Sequence, residues 1–213
     1  MLKADFHIHT FYSPCSNMRP EEIVKVSVSK GYDVLGVVDH NNIKGGNLIK
    51  KISGKKILII PGEEIMTNLG EVIVFLSDGK YNRNLDDICE RCRQMNHYLI
   101  VPHPFDFLRF SASIRHHLMH VKHADAVEIF NSRCLFNRFN SMAKEFSIQN
   151  KIPQIVGSDA HFYEEIGNVT AFLNCEKNID SIFNFIRKNN MRFEHMNAGI
   201  KPHIKSLFRK IER

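Results

Sequence analysis

The chain has 213 residues, 43% of them apolar and 24% charged. That balance excludes a mostly disordered protein, and no apolar run approaches the roughly 18 residues a bilayer span needs. The formal charge of +6 is unevenly placed: residues 201–213 hold a net +4, a basic tail on a nearly neutral body of residues 1–200.

Short β-branched runs alternate with helical segments along the whole chain. The first run, Ala4 to His9, ends in His7-Ile8-His9, and period-2 alternation turns both imidazoles to one side. Pro20 with Glu21 and Glu22 opens a helix that Gly31 stops. Asp33 to Asp39 is the second strand, followed by His40, and Ile57 to Pro61 is the third, leading into Gly62-Glu63-Glu64. After Asn68-Leu69-Gly70, the run Glu71 to Leu76 returns as a hairpin partner. Asn84 caps a helix carrying Cys89-x-x-Cys92. Leu99 to Pro102 leads to His103-Pro104 and then Phe105, Phe107 and Phe110, which could cover a pocket, stack on a base or pack the core. Ser111 is a candidate N-cap, and Arg115 to His123 reads as a helix with His116, His120 and His123 on one solvated face. Ala124 to Phe130 brings Glu128 and Asn131, Ile152 to Gly157 brings Asp159-Ala160-His161, and Val169 to Leu173 precedes a helix capped by Asn178.

Repeated strand–helix alternation without a domain-boundary linker implies one α/β domain with a parallel sheet, open or closed into a barrel. No G-x-G-x-x-G or G-x-x-x-x-G-K-[ST] follows a strand, which removes the best evidence for an open nucleotide-binding sheet. A barrel places its active site at the C-terminal strand ends, and six of these runs are followed by His, Asp or Glu. At this length no metal is needed to hold the fold, so a metal there serves chemistry. Imidazoles and carboxylates without a thiolate cluster suit Mn, Zn or Fe, and this many donors can hold more than one divalent ion in a hydrolytic centre. The cysteines (Cys15, Cys89, Cys92, Cys134, Cys175) are odd in number and scattered, and MLKADF carries no apolar leader, so a cytoplasmic location is expected. The Cys89-x-x-Cys92 pair lacks a second pair at finger spacing and reads as an ordinary helical pair.

At these residues the sequence resembles the PHP (polymerase and histidinol phosphatase) family. The matching stretches are DFHIHTFYSPCS, VLGVVDHNNI, IPGEEI, VPHPFD, VEIFNSR and GSDAHF, in that order over roughly residues 4–175. The resemblance implies a distorted TIM-like (β/α)7 barrel, two or three divalent metal ions, and phosphoesterase activity through attack of a metal-bridging hydroxide. Carried over by position, it gives one ion to His7, His9, Glu64 and Asp159, a second to Glu64 and His103, and a third to His40 and His161. Glu63, on the opposite side of its strand, turns into packing or to a supporting position behind the ligands. Two positions depart from the family pattern: Cys15 stands where an Asp or His is common, and Glu71 where the hairpin often supplies a His. Both substitutes can ligate; the bland alternative for Cys15 is a small buried residue.

Asp39 is a candidate ligand, hydrogen-bond acceptor or base, and Arg133 is the best-placed cation to clamp a substrate phosphate, ahead of Arg19 and Lys44. The expected substrate is a phosphorylated small molecule or nucleotide. Two rivals stand beside it: a nuclease trimming the ends of RNA or DNA, with weak nucleic-acid contact through the tail, and a non-catalytic metal-bearing binding module. The alternative for the tail itself is a solvated amphipathic helix. The sequence leaves the oligomeric state open.

Overall fold

A computed structural model describes residues 1–112, 114–188 and 191–211, those at 110–112 and 207–211 as backbone only. Among the described residues nine strands form one sheet: β1 (Leu2–Ile8), β2 (Val34–His40), β3 (Leu58–Thr67), β4 (Gly70–Phe75), β5 (Tyr98–Val101), β6 (Ala126–Asn131), β7 (Gln154–Gly157), β8 (Val169–Leu173) and β9 (Arg192–His195). Their order is β7-β6-β5-β4-β3-β2-β1-β8-β9. β1, β2 and β3 run parallel, as do β5, β6 and β7; β4 lies antiparallel between the two sets as the hairpin return of β3.

The sheet curls until the segment after β7 meets β1. Asp159 donates its backbone N–H to the carbonyl of His7 at 2.7 Å and His9 donates to that of Ala160 at 2.9 Å, closing the barrel. β8 and β9 continue antiparallel beyond this seam. Strands buried on both faces read as unbroken apolar runs, and β4 and β6 are buried at every position.

The helices are α1 (Pro20–Ser29), α2 (Lys44–Ser53), α3 (Leu85–Met95), α4 (Asn137–Asn150), α5 (Ile179–Ile186) and α6 (Lys201–Ile211). Pro20 opens α1, while the side chains of Asn84 and Asn178 accept from Asp87 N and Ser181 N to cap α3 and α5. No helix among the described residues is long and apolar enough to cross a membrane.

Two expectations are corrected, and one strand went unpredicted. Arg115 to His123 is not an α-helix: only Leu118–Val121 forms a 3-10 turn, so His116, His120 and His123 share no helical face. Ile114 and Val121 are buried and Leu118 packs against the core, so the segment is anchored through these three residues without forming a longer helix. Ser111 lies inside another 3-10 turn, Phe107–Ala112, rather than at a helix start; its side chain and that of Phe110 lie outside the described residues. β9 escaped notice because most of it is exposed and carries no apolar alternation.

Candidate metal centre

β1 delivers His7 and His9 into the barrel mouth, both fully buried, with their Nε2 atoms 3.1 Å apart. Asp159 joins them from across the seam, its Oδ1 3.2 Å from His9 Nε2 and 3.6 Å from His7 Nε2. Glu64 arrives from β3, with Oε2 at 3.6 Å from His7 Nε2, 3.4 Å from His9 Nε2 and 3.1 Å from His40 Nδ1. Its Oε1 lies 3.0 Å from His103 Nε2. Glu63 faces the other way and accepts from Ser77. Four groups thus have ligand atoms within 4.8 Å of one another: His7, His9 and Asp159; His7, Glu64 and His103; His9, His40 and His161; His40, Glu64 and Glu71.

The ring orientations are set by neighbours that take up the other nitrogen. His7 Nδ1 lies 2.9 Å from Glu128 Oε1, and His161 Nδ1 lies 2.7 Å from the carbonyl of Asp159. His9 Nδ1 meets Ser13 Oγ at 3.2 Å, and that hydroxyl donates to Asp39 Oδ1 at 2.6 Å. Each arrangement assigns the proton to Nδ1 and leaves the Nε2 lone pair free to ligate toward the centre. Burial holds His9 below the usual imidazole range, and burial followed by the Arg133 guanidinium does so strongly for His161. Neutral imidazoles are the form that ligates.

Asp39 does not itself reach the ligand groups. Its oxygens accept from Thr10 N at 2.7 Å, Thr10 Oγ1 at 2.7 Å and Ser13 Oγ, so it fixes the loop after β1 and acts on His9 through Ser13. Cys15 is buried with its thiol against the His40 ring. Glu71 is buried, with Oε2 3.8 Å from His103 Nε2 and Oε1 3.9 Å from His40 Nδ1. Burial, and then the charge of Glu64, push its carboxyl up.

Arg133 is buried rather than surface-exposed. Its Nη2 donates to Ser206 of α6 at 2.9 Å, and its Nε lies 3.6 Å from Glu165 Oε1. Glu165 Oε2 in turn accepts from the backbone of His161 at 2.9 Å and Phe162 at 3.0 Å, so Arg133 braces the loop carrying His161. The tail begins as a docked helix: Pro202 and Ser206 are buried, His203 Nε2 donates to the carbonyl of Arg133 at 2.7 Å, and Lys205 pairs with Glu164. Residues 212 and 213 of the tail lie outside the described residues.

The guanidinium that reaches the ligands is Arg109, which sequence reasoning missed. Its Nη2 donates to Asp159 Oδ2 at 2.5 Å, its Nε to Asp106 Oδ2 at 3.0 Å, and its Nη1 lies 3.3 Å from His103 Nε2. It sits in a 3-10 turn with no motif or periodicity around it to mark it. Phe105 and Phe107 pack on Phe146 and Phe139 rather than opening onto the centre. Cys89 and Cys92 line a different cavity of about 560 Å³ with His120 and His123. Burial pushes the Cys92 thiol up to about 11, away from thiolate chemistry.

The PHP-associated family model matches residues 137–191, the stretch from α4 through α5. The uncharacterized protein MJ0417 of Methanocaldococcus jannaschii is 32% identical over 185 residues, 83% of this chain and 73% of that one. Among solved structures, a two-domain protein of Bacteroides vulgatus ATCC 8482 containing a predicted PHP-like metal-dependent phosphoesterase superposes with a TM-score of 0.75 at 18% identity over 91% of this chain. PsfC of Pseudomonas syringae PB-5123 superposes at 0.68 with 14% identity over 100% of this chain and 99% of its own. The lesion-specific endonuclease PfuEndoQ of Pyrococcus furiosus gives 0.68 with 18% identity over 94% of this chain. The chain spans 64% of the Bacteroides protein and 59% of the endonuclease, so these likenesses speak to the barrel. With the ordered strand-end residues converging in this barrel, the chain belongs to the PHP-domain family.

Proposed function

We propose that the chain is a metal-dependent phosphoesterase acting on a phosphomonoester. One observation carries this reading: Glu64 Oε2 and Asp159 Oδ1 are buried without a hydrogen-bond partner among the described residues, each facing several imidazole nitrogens. An unpaired buried carboxylate oxygen costs on the order of 1–3 kcal/mol or more, and cations between these atoms would remove that cost. The donor set fits divalent Mn, Zn or Fe.

In this reading His7, His9 and Asp159 hold one ion with Glu64, which also faces a second position formed with His103 and Glu71. His40 and His161, beside Cys15, offer a third. Ions there would supply Lewis-acid polarisation of a phosphoryl oxygen and acidification of a water. The chain's own residues do the positioning. Glu128, Ser13 with Asp39, and the Asp159 carbonyl hold the imidazole tautomers, while Arg133 acts through Glu165 on the loop carrying His161. Ser206, His203 and Lys205 of α6 are engaged by the barrel, so the start of the tail is a docked helix rather than a free arm.

The test is hydrolysis of an aryl phosphate, then a panel of sugar phosphates, nucleotides and short oligonucleotides, by protein loaded with Mn²⁺. Loaded wild type should exceed a His7→Ala, Asp159→Ala double variant by at least about a hundredfold. Equal activity of the two overturns the reading, and a preference for oligonucleotide ends replaces it with the nuclease.

A further inference from the structure

Arg109 joins residues that belong to different ion positions. Its Nη2 holds Asp159 Oδ2, its Nη1 stands against His103 Nε2, and its Nε is tethered to Asp106, whose side chain is 3% exposed. The arginine side chain itself keeps 20% of its surface exposed, so it spans from the buried ligands to the mouth. Both partners sit at positive φ, 26° for His103 and 56° for Asp159, a backbone region that side chains other than glycine's adopt only when surroundings hold them there.

The contact with His103 is mismatched in either tautomer. If Nε2 carries the proton it satisfies Glu64 Oε1 but turns an N–H toward the Arg109 N–H. If Nε2 is bare it accepts from Arg109, but the buried Nδ1–H then has no acceptor among the described residues. A cation on a bare Nε2 would take the place of Nη1 and avoid the N–H to N–H encounter, with Nδ1–H unpartnered as in the second tautomer. The tether to Asp106 does not have to break for that to happen. Arg109 also sets a permanent positive charge against the buried Asp159 carboxylate, which faces His7 and His9 together with Glu64.

We propose that Arg109 is the resident counter-cation of the centre. It balances Asp159 and shields His103 when ions are absent, yields the His103 position when an ion binds, and then, still tethered by Asp106, donates to a phosphoryl oxygen of the substrate. The inference rests on the metal-centre reading above and adds to it a competition between ion and arginine. An arginine fork is suited to the second task because its parallel N–H groups match phosphate oxygens.

The experiment compares wild type, Arg109→Gln and Arg109→Lys after chelator treatment. Mn²⁺ binding is measured by calorimetry, melting temperature with and without Mn²⁺, and KM and kcat for an aryl phosphate at saturating Mn²⁺. Arg109→Gln should bind its weakest resolved Mn²⁺ about tenfold more tightly than wild type and show the larger Mn²⁺-induced rise in melting temperature. Its KM should rise about tenfold, with a smaller change in kcat. Arg109→Lys, which keeps the charge without the fork, should retain near-wild-type Mn²⁺ affinity and share the raised KM; it also serves if the Gln variant does not fold. Mn²⁺ affinity in Arg109→Gln equal to or weaker than wild type overturns the counter-cation, and an unchanged KM overturns the substrate contact. Mn²⁺ binding by none of the proteins overturns the metal-centre reading as well, whereas binding by all with no difference overturns this inference alone.

Discussion

Glu128 Oε1 lies 2.9 Å from Nδ1 of His7, with both side chains fully buried, while its Oε2 accepts from His103 N at 2.9 Å and Asn131 Nδ2 at 3.0 Å. One carboxylate therefore fixes a ring on β1 and the backbone of a second ligand after β5. In Glu128→Gln the amide NH₂ must face either the His7 N–H or the His103 N–H, whichever way it flips. We expect Mn²⁺ affinity to fall 10–100-fold with the far-ultraviolet circular dichroism unchanged. Unaltered affinity by calorimetry would show that His7 is oriented by other contacts.

Gly157 ends β7 directly against His7 and Glu128. A Cβ there would overlap His7 Cβ and Glu128 Oε1, so Gly157→Ala must push apart the pair just described. Overpacking of this kind costs typically 1–3 kcal/mol. Denaturant melts should show that loss, and phosphatase activity should fall at least about tenfold.

Asp5 gives a pH signature. Burial raises its carboxyl from 3.8 to about 6, and its Oδ2 has no hydrogen-bond partner. Because the folded value lies above the unfolded one, the native state favours the neutral form. The contribution to stability is fully present below about pH 3.8 and is lost as pH rises through about 6. Asp5→Asn stays neutral and keeps an oxygen to accept from Ser158 N and His7 N. Its stability relative to wild type should therefore increase by on the order of 2–3 kcal/mol between pH 4 and pH 7.5, read from urea melts at each pH. A constant difference would show that Asp5 is not desolvated as described.

Arg133→Met removes the cation beside Glu165. Burial already pushes Glu165 up to about 7, so protonation absorbs part of the loss, and we expect a destabilisation of about 1–3 kcal/mol rather than the full penalty of a stranded charge. The loop at His161 should loosen as well, and metal analysis should find lower Mn²⁺ occupancy than in wild type. Retained occupancy and stability would separate α6 and Arg133 from the centre.

The strands and most of the donors were legible because both follow local rules. Apolar runs marked β1 to β8, Asn68-Leu69-Gly70 marked the hairpin, and period-2 alternation placed His7 with His9 and turned Glu64 away from Glu63. Arg109 was not legible, since its role comes from contacts with Asp159, 50 residues away, through a turn without periodicity. Arg133 was noticed, but as a clamp; its burial depends on α6 docking from 73 residues downstream, which no local pattern encodes. The histidines from Arg115 to His123 suggested a helical face, but the chain makes only the turn Leu118–Val121; Ile114, Leu118 and Val121 pack inward at a spacing a helix would share, so periodicity does not separate the two.

The seam of the barrel makes the centre a matter of closure as well as chemistry. His7 and His9 stand on one lip, Asp159 and His161 on the other, and the lips are joined by the His7–Asp159 and His9–Ala160 backbone bonds with Ser158 N donating to Asp5 Oδ1 at 3.0 Å. Anything that binds all four side chains acts as a rivet between the first strand and the seventh, whose sequence positions are some 150 residues apart. Opening of that join, read by amide exchange at His9 and Asp159, should then slow with ligation, while exchange in the β3–β4 hairpin changes less.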